Sequence, residues 1–269
     1  MKSLNCSSQE TIYQSLSDIF SISLEELFIF IDNCKKEDPS CSDREPPLHS
    51  DQLFINLQAD KSISLDYEKT HWFHATRVSK DENFSDGLLP NHIAADKYWA
   101  FLYSLVENEI SYNEWQNFKD FILSSQDDKN ARLYQLKTKN IDQTGPFAFL
   151  FKDTAFAQPH SGIHSYLTIP ESIEDICLCF EERLNIEIRE KFKNSTLPCI
   201  VEFYDYSTEV NYLRDALYYI YCINFDFDCL NYFAIASNSK GNIIPHDQII
   251  SISCYSDEDI RSPNNPRCT

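Results

Sequence analysis

His74 stands in a stretch, Thr70-His71-Trp72-Phe73-His74-Ala75-Thr76-Arg77, whose residue types could position a ligand. Trp72, Phe73, Ala75 and Thr76 suit a half-buried strand. A histidine there offers a directional hydrogen bond, and the small Ala75 after it lets the backbone come close to a bound group. A charged loop, Lys80-Asp81-Glu82-Asn83, follows, and then Gly87, one of four glycines in the chain. A core strand whose histidine is satisfied by a neighbour would show the same residues. Glu202 is the second candidate. It lies between Val201 and Phe203 in an apolar run, and a carboxylate is costly to bury without a partner. Alternation puts Ile200, Glu202 and Tyr204 on one strand face and Val201 and Phe203 on the other. Glu202 then either faces solvent from an edge strand or reaches into a cleft.

Other constellations exclude chemistry more than they suggest it. With glycine only at positions 87, 145, 162 and 241, no phosphate-cradling loop of the Gly-x-Gly-x-x-Gly or P-loop kind exists. His160 and His164 are four apart, but Pro159 and Gly162 disfavour a helix between them. Cys177-x-Cys179 lacks the two-residue spacer of a metal pair. His71 and His74, three apart on a strand, point to opposite faces. No metal site is expected. No cysteine motif marks a nucleophile, and no Gly-x-Ser-x-Gly elbow is present.

The His74 stretch carries a resemblance. Phe73-His74-Ala75-Thr76 is similar to the His-Gly-Thr or His-x-Thr strand of the ADP-ribosyltransferase superfamily, with Ala75 where glycine is more usual. Phe84-Ser85-Asp86-Gly87-Leu88-Leu89-Pro90 resembles the segment that often follows that strand. The resemblance implies an NAD-using enzyme that binds its substrate in a cleft between two small packed β-sheets, without a glycine-rich loop. It implies that His74 orients the ribose and that the backbone at Ala75 and Thr76 grips the nicotinamide amide. Glu202, on a late strand, would support the oxocarbenium-like transition state. Tyr166, and after it Tyr112, would stack on nicotinamide, and Arg77 would pair with an NAD phosphate unless it is a surface residue at the strand end. The tRNA 2′-phosphotransferases and the RES-type NAD-degrading toxins begin with similar strands, so the reaction stays open.

The elements that must position these residues follow from periodicity. Segments 8–20 and 23–34 read as helices, the second opened by the capping box Ser23-Leu24-Glu25-Glu26. Residues 35–50 form a loop with Pro39, Pro46 and Pro47. Segment 51–58 reads as a strand, followed by the His74 strand over 70–77. Segments 93–109 and 111–124 read as helices, with Trp99, Leu102, Leu105 and Val106 on the inner face of the first and a capping box at Ser111 and Glu114. Residues 126–130 read as a turn and 146–151 as a buried strand. The polar stretch 158–166 is a loop, and Thr168-Ile169-Pro170-Glu171 reads as a capped helix start. Strands are expected over 199–204, 232–237 and 248–254. A helix over 207–221 turns Val210, Leu213, Leu217 and Ile220 inward. The tail after Asp257 is polar and loose.

Helices cluster early and strands recur late, so the fold class is α+β. We divide the chain into a helical N-terminal segment and linker (1–50), an α+β catalytic domain (51–257) and a polar tail (258–269). Net charge is −19, which argues against a DNA or RNA surface and against a polybasic membrane contact. A basic protein partner remains compatible with it. The ten cysteines are not spaced as a disulfide framework, and Cys177, Cys199, Cys222 and Cys254 read as small apolar core residues. No signal-peptide run or spanning stretch is visible, so a cytoplasmic setting is expected; for a secreted effector or toxin it would be a host cytosol.

The expected function is cleavage of the nicotinamide–ribose bond of NAD, a substrate rather than a bound cofactor, with transfer of ADP-ribose to a protein or other acceptor. NAD hydrolysis and a non-catalytic acidic interaction protein of the same fold are the alternatives. Transfer of an RNA 2′-phosphate to NAD needs a basic surface and is opposed by the charge.

Overall fold

The computed structural model describes residues 2–36, 48–156, 164–227 and 236–261. These residues form an α+β protein with ten α-helices and one six-stranded sheet. The chain runs through β1 (Ser3–Leu4), α1 (Gln9–Phe20), α2 (Leu24–Lys36), α3 (Ser50–Asp60) and β2 (Lys69–Ser79). Then come α4 (Asn91–Ser104), α5 (Tyr112–Ser124), α6 (Lys129–Lys139), β3 (Phe147–Phe149), α7 (Glu171–Leu184) and α8 (Arg189–Ser195). It ends with β4 (Thr196–Asp205), α9 (Val210–Asn224), β5 (Ala236–Asn238), β6 (Ile249–Cys254) and α10 (Asp257–Arg261). The strand order is β5-β3-β2-β4-β6, with β1 also on β2. β1 runs parallel to β2, with Ser3 opposite Lys69, and β3 antiparallel to it, with Phe73 opposite Phe149. One sheet therefore stands, among the described residues, where two small sheets were expected. β2, at eleven residues, is long enough to carry β1 at its start and β3 further along.

The chain divides into two compact units. One comprises Met1–Phe73, Phe149–Ile163 and Phe203–Ala236; the other comprises His74–Ala148, His164–Glu202 and Ser237–Thr269. In the first, α1 is opened by a capping box at Ser8 and Thr11 and packs on α2 and α9. α3 also packs on α9. Segment 51–58 is thus helical, not the strand its apolar residues suggest. Alternation would bury Leu53, Ile55 and Leu57 together, whereas the helix buries Leu53, Phe54 and Leu57 and leaves Ile55 exposed. In α9, Leu213, Leu217 and Ile220 are buried as expected, but Val210, at the first helical position, is exposed.

The second unit is built on an aromatic core. Trp99 of α4, Trp115 and Phe118 of α5, Tyr134 of α6 and Phe180 of α7 are all buried in one cluster. Edge-on ring contacts join Trp99 to Trp115, Phe118 and Tyr134, and Trp99 Nε1 donates to Tyr134 Oη at 2.8 Å. The Ser111–Glu114 capping box of α5 is present. α6, capped by Asp128, has no counterpart in the sequence reading, which ends its polar turn at 130. The expected box at Thr168 does not form. α7 begins at Glu171, behind Pro170, and the Thr168 hydroxyl bonds instead to Ser165 Oγ at 2.8 Å. The expected strand over 146–151 shortens to Phe147–Phe149.

Two further corrections concern the C-terminal part. Cys199 and Cys254 are not separate core residues but a disulfide joining β4 to the end of β6, with Cα atoms 4.2 Å apart. Pairing on adjacent strands brings together cysteines 55 residues apart in sequence. The tail after Asp257 begins as α10 rather than loose chain, because Ser256 caps it: Ser256 Oγ accepts from Asp259 N at 3.1 Å. Residues 37–47 of the loop expected over 35–50, part of the loop at 158–166 and most of the strand at 232–237 lie outside the described residues; Lys35 and Lys36 belong to α2 and Ser50 to α3. No described helix is long and apolar enough to cross a membrane.

Candidate functional site

β2 carries His74, Thr76 and Arg77 into the second unit, where they line a cavity of about 270 Å³. The strand is followed by a tight turn in which Gly87 N bonds to Phe84 O at 2.8 Å. Leu88 and Ile244 then exchange backbone hydrogen bonds at 2.9 and 3.0 Å. Gly87 sits at φ +80°, and a Cβ there would stand 2.2 Å from Ile244 O, so only glycine allows this approach. α4 forms the opposite wall with Ala94, Lys97, Tyr98 and Phe101, spaced i, i+3, i+4, i+7 on one helix face. Pro170 just before α7, Ile173 of α7, Phe192 of α8 and Thr196 of β4 also line it. Apolar and aromatic residues thus make up little more than half of its wall, beside eight polar or charged ones that include His74, Arg77, Glu82, Asp86 and Lys97.

His74 is half-buried and its Nδ1 lies 2.6 Å from Phe147 O. Against a carbonyl, Nδ1 must carry the proton and donate it, which leaves Nε2 an acceptor in the neutral ring. Burial lowers the pKa of His74, and the bond to Phe147 only partly offsets this. Tyr98 is pushed up to about 12 by burial, so its hydroxyl keeps its proton and remains a donor. At the edge, Lys97 and Asp86 form an exposed ion pair at 2.6 Å. Each shifts the other, Lys97 upward and Asp86 downward. Glu82, also on the wall, accepts Phe84 N at 2.7 Å.

Arg77 is not a surface residue. It is 5% exposed and donates Nε to Thr196 Oγ1 at 3.0 Å and Nη1 to Leu167 O at 3.0 Å. Nη2 donates to Lys193 O at 2.9 Å and to Thr196 O at 3.1 Å, and Asp257 meets both Nη atoms, at 2.7 and 3.3 Å.

The remaining sequence candidates stand elsewhere. Ala75 is buried and is absent from the cavity wall. Glu202 is half-buried on β4, accepts Ser251 Oγ at 3.0 Å and does not line the cavity. Tyr166 is half-buried, donates to Glu171 Oε1 at 3.3 Å and packs edge-on against His164. Burial, with Glu171 beside it, raises its pKa. Tyr112 is exposed and rests against Tyr103. The structure thus brings His74, Thr76 and Arg77 together and leaves Ala75, Glu202, Tyr166 and Tyr112 off the wall. The sequence reading missed Lys97, Tyr98, Phe101 and Glu82. The first three were visible as the second face of α4, opposite the Trp99–Leu102 face. Among the described residues no group of three or more histidines, cysteines or carboxylates could hold a metal ion; His160 lies outside them.

No family model, no curated protein and no solved structure matches the chain.

Proposed function

We propose that the chain is an ADP-ribosyltransferase-like enzyme that takes the nicotinamide–ribose end of NAD into the His74 cavity and cleaves the bond between them. The observation that carries this reading is His74 itself. It comes from the strand with the family resemblance, lines a partly apolar cavity, and is held neutral with Nε2 as acceptor. A ribose hydroxyl is the donor that such a nitrogen suits. Tyr98 and Phe101 offer rings for the nicotinamide, a role the sequence reading gave to Tyr166 and Tyr112. As the bond breaks, positive charge grows on the ribose and a fixed carboxylate lowers that barrier. Glu82 is the wall carboxylate nearest in sequence to the His74 strand, and Glu202 is the candidate that the resemblance implies. ADP-ribose then passes to a protein, another acceptor or water.

The test is nicotinamide release from NAD by the wild type and by H74A, E82Q and E202Q, with and without a lysate as acceptor source. The reading expects release by the wild type, a loss of about a hundredfold or more in H74A, and a comparable loss in one of the two glutamate variants. Release that needs lysate points to transfer; release without it points to hydrolysis. No release and no NAD binding by folded protein would overturn the proposal.

The position of Glu202 off the cavity wall favours a second reading, a non-catalytic protein of degenerate fold that engages a basic partner through its acidic surface. That reading expects a salt-sensitive complex indifferent to His74→Ala.

A further inference from the structure

The guanidinium of Arg77 lies against four neutral acceptors and one anion. The neutral ones are Thr196 Oγ1 and the carbonyls of Leu167, Lys193 and Thr196. The anion is Asp257, whose two carboxylate oxygens face the two Nη atoms at 2.7 and 3.3 Å. The arginine side chain has no exposure, whereas that of Asp257 is 42% exposed. A buried guanidinium needs an opposite charge, because an uncompensated one is strongly unfavourable. Its planar fork suits any two-oxygen face of a carboxylate or phosphate. Asp257 supplies that face from the solvent side, where another oxyanion could replace it.

What keeps Asp257 there is local. It opens α10, three residues beyond Cys254. Cys254 is exposed and is joined covalently to the buried Cys199 of β4, and next to it Tyr255 N bonds to Pro198 O at 2.9 Å. The disulfide, this bond and the pairing of β6 on β4 together hold the position from which the carboxylate reaches Arg77, and the disulfide is the covalent tie among them.

We propose that the Arg77 guanidinium is an oxyanion-binding site, filled by Asp257 as an internal stand-in while Cys199 and Cys254 are joined, and opened when a dithiol reduces that disulfide. The dithiol gives up two electrons and two protons and becomes a disulfide; Cys199 and Cys254 each take one electron and one proton and become thiols. β6 then loses its covalent tie to β4, Asp257 departs with α10, and the guanidinium takes a phosphate group instead. The phosphate comes either as a free anion or as part of a nucleotide in the adjoining cavity. The proposal stands on the ion pair and the disulfide, independently of whether NAD is the cavity's ligand.

Calorimetric titration of inorganic pyrophosphate, with NAD in a parallel arm, tests it. The samples are oxidised wild type, wild type in dithiothreitol, C199S/C254S and D257N, each also melted with and without pyrophosphate. We expect the oxidised wild type to bind pyrophosphate at least about tenfold more weakly than the other three, a gap of about 1.4 kcal/mol. Pyrophosphate should raise the melting temperature of those three and leave the oxidised wild type unchanged. Arg77→Lys in the D257N background should remove the gain, and Asp257→Glu should keep the site closed. A parallel gain for NAD assigns the phosphate to a nucleotide, and a gain for pyrophosphate alone assigns it to a free anion; the site stands in both cases. No gain in folded D257N would overturn the site. A gain in D257N without one in the reduced wild type or in C199S/C254S would overturn the disulfide's part. Should D257N not fold, a missing gain in both of the latter would overturn the whole.

Discussion

His74 is a histidine whose surroundings choose its charge and its tautomer. Its folded pKa lies below the ordinary imidazole value of about 6.5 because burial penalises the cation. Between the folded and the ordinary value the unfolded chain binds the proton and the folded chain does not. Stability therefore rises with pH through that window, is complete above about 6.5, and is lost as pH falls through the folded value. We expect urea midpoints measured between about pH 5 and pH 7 to climb in the wild type and to climb less in H74Q. Of the candidate residues, His74 and Thr76 were legible because a strand with its own periodicity carries them. The burial of Arg77 was not: Leu167, Lys193, Thr196 and Asp257 come from segments far along the chain, and only the fold brings them to β2. The partnership of Cys199 with Cys254 was hidden for the same reason, since 55 residues separate the two in sequence and only the strand pairing brings them together.

The elements around the cavity are held by single residues whose loss can be measured. Gly87 allows the turn that brings Leu88 to Ile244. Gly87→Ala forces a Cβ into a carbonyl oxygen at a left-handed φ, and should cost about 1–3 kcal/mol in denaturant titrations. It should also weaken any ligand of the His74 cavity, because the same turn lines it. In the helical core, Tyr134→Phe leaves the Trp99 indole N–H without its acceptor. That loss should cost about 1–3 kcal/mol by the same measurement, while the edge-on ring contact survives. The helices α1, α2, α4, α5 and α9 were readable from apolar spacing and caps, and α7 only by its start at Pro170 and Glu171. α6 was not, since Lys-Asn-Ala-Arg-Leu-Tyr-Gln-Leu-Lys-Thr-Lys buries Ala131, Tyr134 and Gln135 and otherwise looks like solvated chain. α3 was misread because Leu53, Ile55 and Leu57 mimic the alternation of a strand.

At the scale of the whole molecule, two features govern behaviour: the division into two compact units and a net charge of −19. Each unit gathers three separated segments, an arrangement that contiguous domain boundaries drawn from composition cannot express. What the expected elements did give was the α+β class, although strands also open the chain and helices recur late. The charge opposes compaction by self-repulsion. Raising salt from about 0.02 M to about 0.15 M should therefore raise the melting temperature, with sodium chloride and potassium chloride acting alike. A fall in melting temperature over that range would show that specific ion pairs, such as Lys97–Asp86 and Arg77–Asp257, outweigh the repulsion.

The proposed binding of NAD at His74 is tested most directly by a titration of the folded protein followed by nitrogen–proton correlation spectra of ¹⁵N-histidine-labelled samples. The account predicts a neutral His74 at about pH 7, protonated at Nδ1, whose Nε2 signal shifts on NAD addition, with H74Q identifying the resonance. It also predicts that pyrophosphate added to oxidised protein leaves that signal in place. A His74 signal unmoved by saturating NAD, or one already protonated at both nitrogens at that pH, would contradict the account.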